Sequence, residues 1–188
     1  MLERQVQELT ILPSVAIAEA ESISETEVIE KVTGIIAQIY PEQCGFFLLS
    51  PDGSVLTPHP SYRGANRDQW QQSYPITQGL TGRAILQNAI VRSNNIRQES
   101  DYIEMTTGML SELCVPIRAN GQPLGVLNVE SSRSAAFDPN DERFLNTIAN
   151  SLGTALERLR FYQEEQRRSR ELNALYQATK ALGQSLEP

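Results

Sequence analysis

Ser111-Glu112-Leu113-Cys114-Val115-Pro116-Ile117-Arg118-Ala119-Asn120-Gly121-Gln122-Pro123-Leu124-Gly125-Val126-Leu127-Asn128-Val129-Glu130-Ser131 is the stretch that decides the fold. Leu113, Val115 and Ile117 recur at every second position, the period of a strand with one apolar face. Val126 to Val129 forms a second extended run. Asn120-Gly121 between them is a strong hairpin signal, because both residues accept positive φ and so fit the tight turn that matches strand twist. Two antiparallel strands are expected here.

Outward from this hairpin the chain alternates periods. Upstream, Cys44 to Leu49 is a short apolar run followed by Pro51-Asp52-Gly53 and a second extended stretch from Ser54, which reads as another hairpin. Gly79-Leu80-Thr81-Gly82-Arg83-Ala84-Ile85-Leu86 reads as a short helix and Ala89-Ile90-Val91 as a brief strand, with a longer polar connection over Ser93 to Thr107. Ser24-Glu25-Thr26-Glu27 is a capping box that opens a helix carrying Val28, Ile29, Val32, Ile35, Ile36 and Ile39 on one stripe. Leu2, Val6, Leu9 and Leu12 have helical spacing, and Pro13 is expected to interrupt or kink that helix. After Asp138-Pro139-Asn140-Asp141-Glu142, Leu145, Ile148, Leu152, Ala155, Leu159 and Tyr162 recur every three or four residues. That helix runs past residue 175, longer than one small domain covers with its core, so these six are expected to form the seam of a parallel homodimer, a coiled coil between subunits.

Composition narrows the functional classes. At 188 residues, 40% hydrophobic and 21% charged, the chain suits one domain with flanking segments and a core that needs no staple. A net charge of −7, from 16 basic and 23 acidic residues, leaves no basic face for nucleic acid. Arg167, Arg168 and Arg170 alternate with Glu164, Glu165 and Glu171, as on a solvated helix. Cys44, Cys114 and a lone His59 give neither a disulfide framework nor a zinc motif, so no metal is expected. No apolar stretch approaches the roughly 18 residues of a membrane span, and no secretory signal opens the chain. A cytoplasmic protein without membrane contact is expected.

The order helix, hairpin, Gly-rich helix, variable segment, hairpin, long helix resembles the GAF domain family. Gly79-Leu80-Thr81-Gly82-Arg83-Ala84 resembles its Gly-rich turn, Ser111-Glu112-Leu113-Cys114-Val115-Pro116-Ile117 its S-x-x-x-V-P-I strand, and Gly125-Val126-Leu127-Asn128-Val129-Glu130-Ser131 its G-V-L-x-V-x-S strand. Phe137-Asp138 with Asp141-Glu142 resembles the start of its last helix. The likeness spans roughly residues 24 to 160. It implies an α+β fold of GAF/PAS type: a central antiparallel sheet with a helical bundle on one face and pocket-covering loops and short helices on the other. The corresponding division is a linker helix over 1–23, the domain over 24–160 and a C-terminal signalling helix over 161–188.

The resemblance also implies a role as a sensory module of signalling proteins such as two-component histidine kinases or cyclases, relaying the state of a small-molecule pocket through paired terminal helices to adjacent signalling domains. Glu171-Leu172-Asn173-Ala174-Leu175 repeats the pattern of Glu8-Leu9-Thr10-Ile11-Leu12, as tandem modules would. Phe46, Leu48, Arg83, Asn94, Asp101, Tyr102, Met105, Met109, Cys114, Asn128 and Glu130 are the pocket candidates; the ligand is an unknown small molecule, and a ligand-free assembly module is the alternative. No cofactor is expected: neither cysteine precedes a histidine as covalent bilin attachment needs, and His59, flanked by Pro58 and Pro60, reads as a surface-loop residue unsuited to haem. Free methionine-R-sulfoxide reductase shares the fold, but its chemistry needs a nucleophilic and a resolving cysteine. Only Cys114 lies in the right region and reads as a structural thiol, so no catalytic residue and no enzyme are expected.

Overall fold

The hairpin forms as its turn chemistry dictates. In a computed structural model, Asn120 and Gly121 take φ of 50° and 77°, and Ala119 pairs with Gln122 at the turn and Ser111 with Ser131 at the open end. The structure describes residues 2–64 and 73–185, with side chains described over 10–64 and 73–177.

In chain order the elements are α1 (Leu2–Glu21), α2 (Glu25–Ile36), β1 (Gln43–Leu49), β2 (Val55–Pro58), β3 (Tyr74–Pro75), α3 (Gly79–Gln87), β4 (Val91–Ser93), β5 (Ser111–Ala119), β6 (Gln122–Ser131) and α4 (Pro139–Ser185), with a 3-10 turn at Ile96–Gln98. The strands form one antiparallel sheet in the order β3-β2-β1-β6-β5-β4. Strand alternation divides its two faces. Cys44, Phe46, Leu113, Val115, Ile117, Leu127 and Val129 enter a core shared with α1, α2 and α4. Phe47, Cys114 and Val126 join a second cluster beneath α3 and the segment that precedes β5.

The helices obey their local signals. The Ser24 hydroxyl accepts the Glu27 amide at 3.2 Å, as in a capping box, while the Glu27 carboxylate accepts the Ile23 amide at 2.9 Å, one residue before the N-cap position that a capping box uses. Asp138 caps α4 by accepting the amides of Asn140 and Asp141, with Pro139 at the first helical position where its missing N–H costs nothing. Tyr40 donates to Asp141 at 2.5 Å, tying the end of the α2 connection to the start of α4. Pro13 lies inside α1 without ending it. Burial of Val15 and Ala18 beyond it, with Ile11 before it, holds the helix together across the lost hydrogen bond. α1 is therefore packed into the core.

The expected dimer seam is corrected by the packing. Leu145, Ile148 and Leu152 are wholly buried and Ala155 and Leu159 nearly so, because this stripe lies on the chain's own sheet and on α1 and α2. Gly153 shows how close the contact is: a Cβ there would stand 1.9 Å from the Arg118 carbonyl oxygen of β5. Of the six seam candidates Tyr162 alone is exposed, at 59%. α4 continues unbroken through residues 163–171, and Phe161, Leu172, Leu175 and Tyr176 on that extension are exposed. The repeated Glu-Leu pattern lies on two helices, α1 and α4. No helix among the described residues is long and apolar enough to cross a membrane.

Candidate functional site

The face of the sheet opposite the bundle carries the chemistry. By strand parity Glu112 accompanies Cys114 on β5, Asn128 and Glu130 share a face of β6, and Gln43 accompanies Phe47 on β1. α3 supplies Leu80 and Thr81, Tyr74 closes one end, and Ile103 and Met105 from the segment before β5 form the roof. Glu112, Asn128 and Glu130 are at most 3% exposed. With Phe47, these α3, Tyr74 and roof residues and Glu112, Asn128 and Glu130 line a cavity of about 10 Å³, room for about one water molecule. Gln43 and Cys114 stand on the same face of the sheet outside its lining.

The polar side chains on this face of the sheet are held by their neighbours. Cys114 donates its thiol to Glu112 Oε1 at 3.1 Å. Glu130 Oε1 accepts Gln43 Nε2 at 2.8 Å and Asn128 Nδ2 at 3.4 Å, while Glu130 Oε2 accepts the Tyr102 hydroxyl at 3.1 Å. The Tyr62 hydroxyl accepts Asn128 Nδ2 at 3.1 Å and Gln43 Nε2 at 3.4 Å. Tyr74 and Thr81 share a hydroxyl–hydroxyl bond of 2.7 Å. The other amide atom of Gln43, Oε1, is buried with no partner.

Two carboxyls in so dry a place do not both ionise. Burial pushes Glu112 up to about 7, with Cys114 and Arg83 pulling it partly back. Burial, reinforced by Glu112, raises Glu130 well above the ordinary carboxylate range. The pair therefore holds a proton near neutrality, so that one member can donate it while the other can carry a charge. Burial first, and then the charge of Glu112, raises the Cys114 thiol well above its usual range, so the thiol is protonated at rest.

The pocket candidates divide accordingly. Met105, Asn128 and Glu130 line the cavity, Cys114 lies in the same cluster, and Tyr102 reaches Glu130. Arg83 and Asp101 lie beside the cavity, bound to each other. Phe46 and Leu48 are corrected: they face the helical core, and Phe47 takes the pocket side. Asn94 is exposed on the surface, where its carbonyl accepts Ala135 N and Ser134 Oγ, and half-buried Met109 contributes nothing to the cavity wall. His59 is also corrected. It is 5% exposed, its Nδ1 2.8 Å from Ser61 Oγ and accepting the Ser61 amide at 3.2 Å. Glu112, Gln43, Tyr62 and Tyr74 were absent from the candidates. Glu112 carried a usable signal, two residues from Cys114 on the same strand. Among the described residues no cluster of three or more His, Cys, Asp or Glu is placed to hold a metal ion.

Residues 22–157 match the profile described as GAF domain. The chain belongs to the GAF domain family. This GAF domain is 27% identical over 112 residues to the free methionine-R-sulfoxide reductase of Escherichia coli strain K12, covering 60% of this chain and 64% of that protein. It is 30% identical over 82 residues to protein YtsP of Bacillus subtilis strain 168, covering 44% of this chain and 50% of that protein. The chain thus spans half to under two thirds of the curated relatives it matches. Its fold is shared by the free methionine-R-sulfoxide reductase of Neisseria meningitidis, solved in complex with its substrate, at a TM-score of 0.75 and 22% identity, over 82% of this chain and 91% of that one.

These relatives overturn the reading of the GAF domain as a non-catalytic sensor. A curated relative is a reductase and a substrate-bound reductase shares the architecture, so the two-component sensor framing and the exclusion of enzymatic activity are withdrawn. The coiled coil is withdrawn as well, since five of its six proposed seam residues are buried within this chain.

Proposed function

We propose that the chain is a reductase for free methionine-R-sulfoxide, bound as a small zwitterion against the carboxyl pair. The observation that carries this reading is the contact of the buried Cys114 thiol with a carboxyl, Sγ to Glu112 Oε1 at 3.1 Å, where Glu112 lines a roofed pocket in a fold shared with that enzyme. An ionised carboxylate of the pair suits the substrate ammonium, and a protonated one suits the sulfoxide oxygen.

The chemistry balances with a single protein thiol. Glu112 takes the Cys114 proton, the sulfur attacks the sulfoxide sulfur, and the substrate S–O bond breaks as oxygen and proton pass to Cys114. The products are the thioether, reduced by two electrons, and a Cys114 sulfenic acid. Cys44 lies on the opposite face of the sheet, so the resolving partner is an external low-molecular-weight thiol. That thiol forms a mixed disulfide and releases water, and a second one restores Cys114 as the symmetrical disulfide leaves. A cytoplasmic setting, which supplies such thiols and keeps both cysteines reduced, suits the same reading.

The test is methionine formation, followed by chromatography, from the R and S epimers of L-methionine sulfoxide with dithiothreitol. The R epimer alone is expected to react, Cys114→Ser to abolish turnover and Cys44→Ser to retain it. Absence of methionine from the R epimer, or full activity in Cys114→Ser, overturns the assignment.

A further inference from the structure

We propose that the segment from Glu99 to Met105 is a latched cover, closed over the carboxyl pocket by its own polar side chains and released when a ligand takes over their partners. Two fastenings hold neighbouring residues of this segment, one on its outer side and one on its inner side. Outside, Arg83 of α3 donates through Nε to Asp101 Oδ2 at 3.2 Å and through a terminal nitrogen to Glu99 Oε2 at 2.8 Å, with a further short bond to Asp101 Oδ1. Inside, Tyr102 donates to Glu130 Oε2 at 3.1 Å. Just after them Ile103 and Met105 seal the roof.

The size of the cavity requires such a device. About 10 Å³ holds no organic ligand, since small-molecule sites occupy about 300–1,000 Å³. The strands of the floor are hydrogen-bonded to their neighbours and α3 is a regular helix packed on them, whereas residues 99–105 belong to no helix or strand, which leaves the roof as the part that moves. Opening it breaks a partly exposed ion-pair cluster and frees a Glu130 oxygen, which a ligand N–H or O–H then satisfies in place of Tyr102. The latch stands on contacts within the chain; its exchange for an amino-acid ligand rests on the function proposed above.

Cys114 reports the opening directly, because it is fully buried in the same cluster as Met105 while Cys44 is buried on the far side of the sheet. The experiment is the labelling rate of each cysteine in the full chain by methyl methanethiosulfonate, resolved by peptide mass spectrometry. Arg83→Gln is expected to speed Cys114 labelling about fivefold, the scale of partly exposed ion pairs, and Tyr102→Phe to speed it less, with Cys44 labelling unchanged in both. Raising salt is expected to speed Cys114 labelling in the natural chain and not in Arg83→Gln. Loss of the Arg83 charge by itself makes the thiol less reactive, so acceleration reads as opening. Unchanged Cys114 labelling, or equal acceleration at Cys44, overturns the latch. Saturating L-methionine shields the thiol from within the opened pocket and is expected to slow Cys114 labelling in Arg83→Gln, where the cover is already released. If it gives no protection while Arg83→Gln still accelerates, the latch stands, and the ligand exchange and the sulfoxide reading fall together.

Discussion

Replacing Glu112 by glutamine isolates the cost of keeping a carboxyl in this pocket. Glu112 is 3% exposed, and burial carries it from an ordinary 4.5 to about 7 in the folded chain. Between those values the folded state binds more protons than the unfolded one, so stability falls as pH rises through the interval. At about 1.4 kcal/mol per pH unit the loss is about 3 kcal/mol, complete above pH 7 and absent below 4.5. Glutamine keeps the acceptor for Cys114 and has no charge to desolvate. Glu112→Gln should therefore match the natural chain near pH 4.5 and exceed it by about 3 kcal/mol at pH 8, or roughly 10 °C in Tm for a domain of this size. The same change removes the charge that helps raise Glu130, which adds in the same direction. His59, lowered by burial, has the opposite slope on the acid side, and it cancels when the two proteins are compared at each pH. Thermal unfolding by circular dichroism from pH 4.5 to 8.5 gives the comparison. A difference between the proteins that stays constant with pH would refute the claim that Glu112 is protonated by burial.

The packing dictates four further outcomes. Gly153→Ala places a methyl 1.9 Å from a backbone carbonyl and must push α4 off β5; a loss of about 3 kcal/mol in urea unfolding is expected, and a loss below about 1 kcal/mol would contradict the close approach. Tyr40→Phe removes the 2.5 Å donor to Asp141, which is wholly buried, and should cost about 2 kcal/mol by the same assay. Leu152→Ala hollows the core beneath α4 and should cost about 3 kcal/mol, whereas Leu172→Ala on the exposed extension should change monomer stability by less than about 0.5 kcal/mol.

How much of the molecule was legible in the sequence depends on the range of each interaction. The β5–β6 hairpin, the capping box of α2 and the start of α4 are set by residues within a few positions of one another, and all three were legible. Cys44 to Leu49 was legible as a strand but not for its faces, because an unbroken apolar run has no alternation from which to choose Phe47 over Phe46 and Leu48. The stripe on α4 had a clear period, but periodicity does not say whether a stripe meets its own sheet or a partner. The site was least legible. Gln43 meets Glu130 across 87 residues, and the raised pKa of Glu112 arises from burial that no local pattern encodes.

The division of β5 and β6 by parity has a consequence for how such chains diverge. Odd positions from Leu113 to Ile117, with Leu127 and Val129, answer to the helical core, and even positions such as Glu112, Cys114, Asn128 and Glu130 answer to the pocket. Substitution on one side leaves the other side's neighbours in place, so one architecture can pass through many chemistries without an unfolded intermediate. A single-residue insertion within either strand would reverse the facing of that strand's residues on one side of it, turning pocket side chains toward the core. In these two strands selection therefore permits changes of residue type far more readily than changes of length.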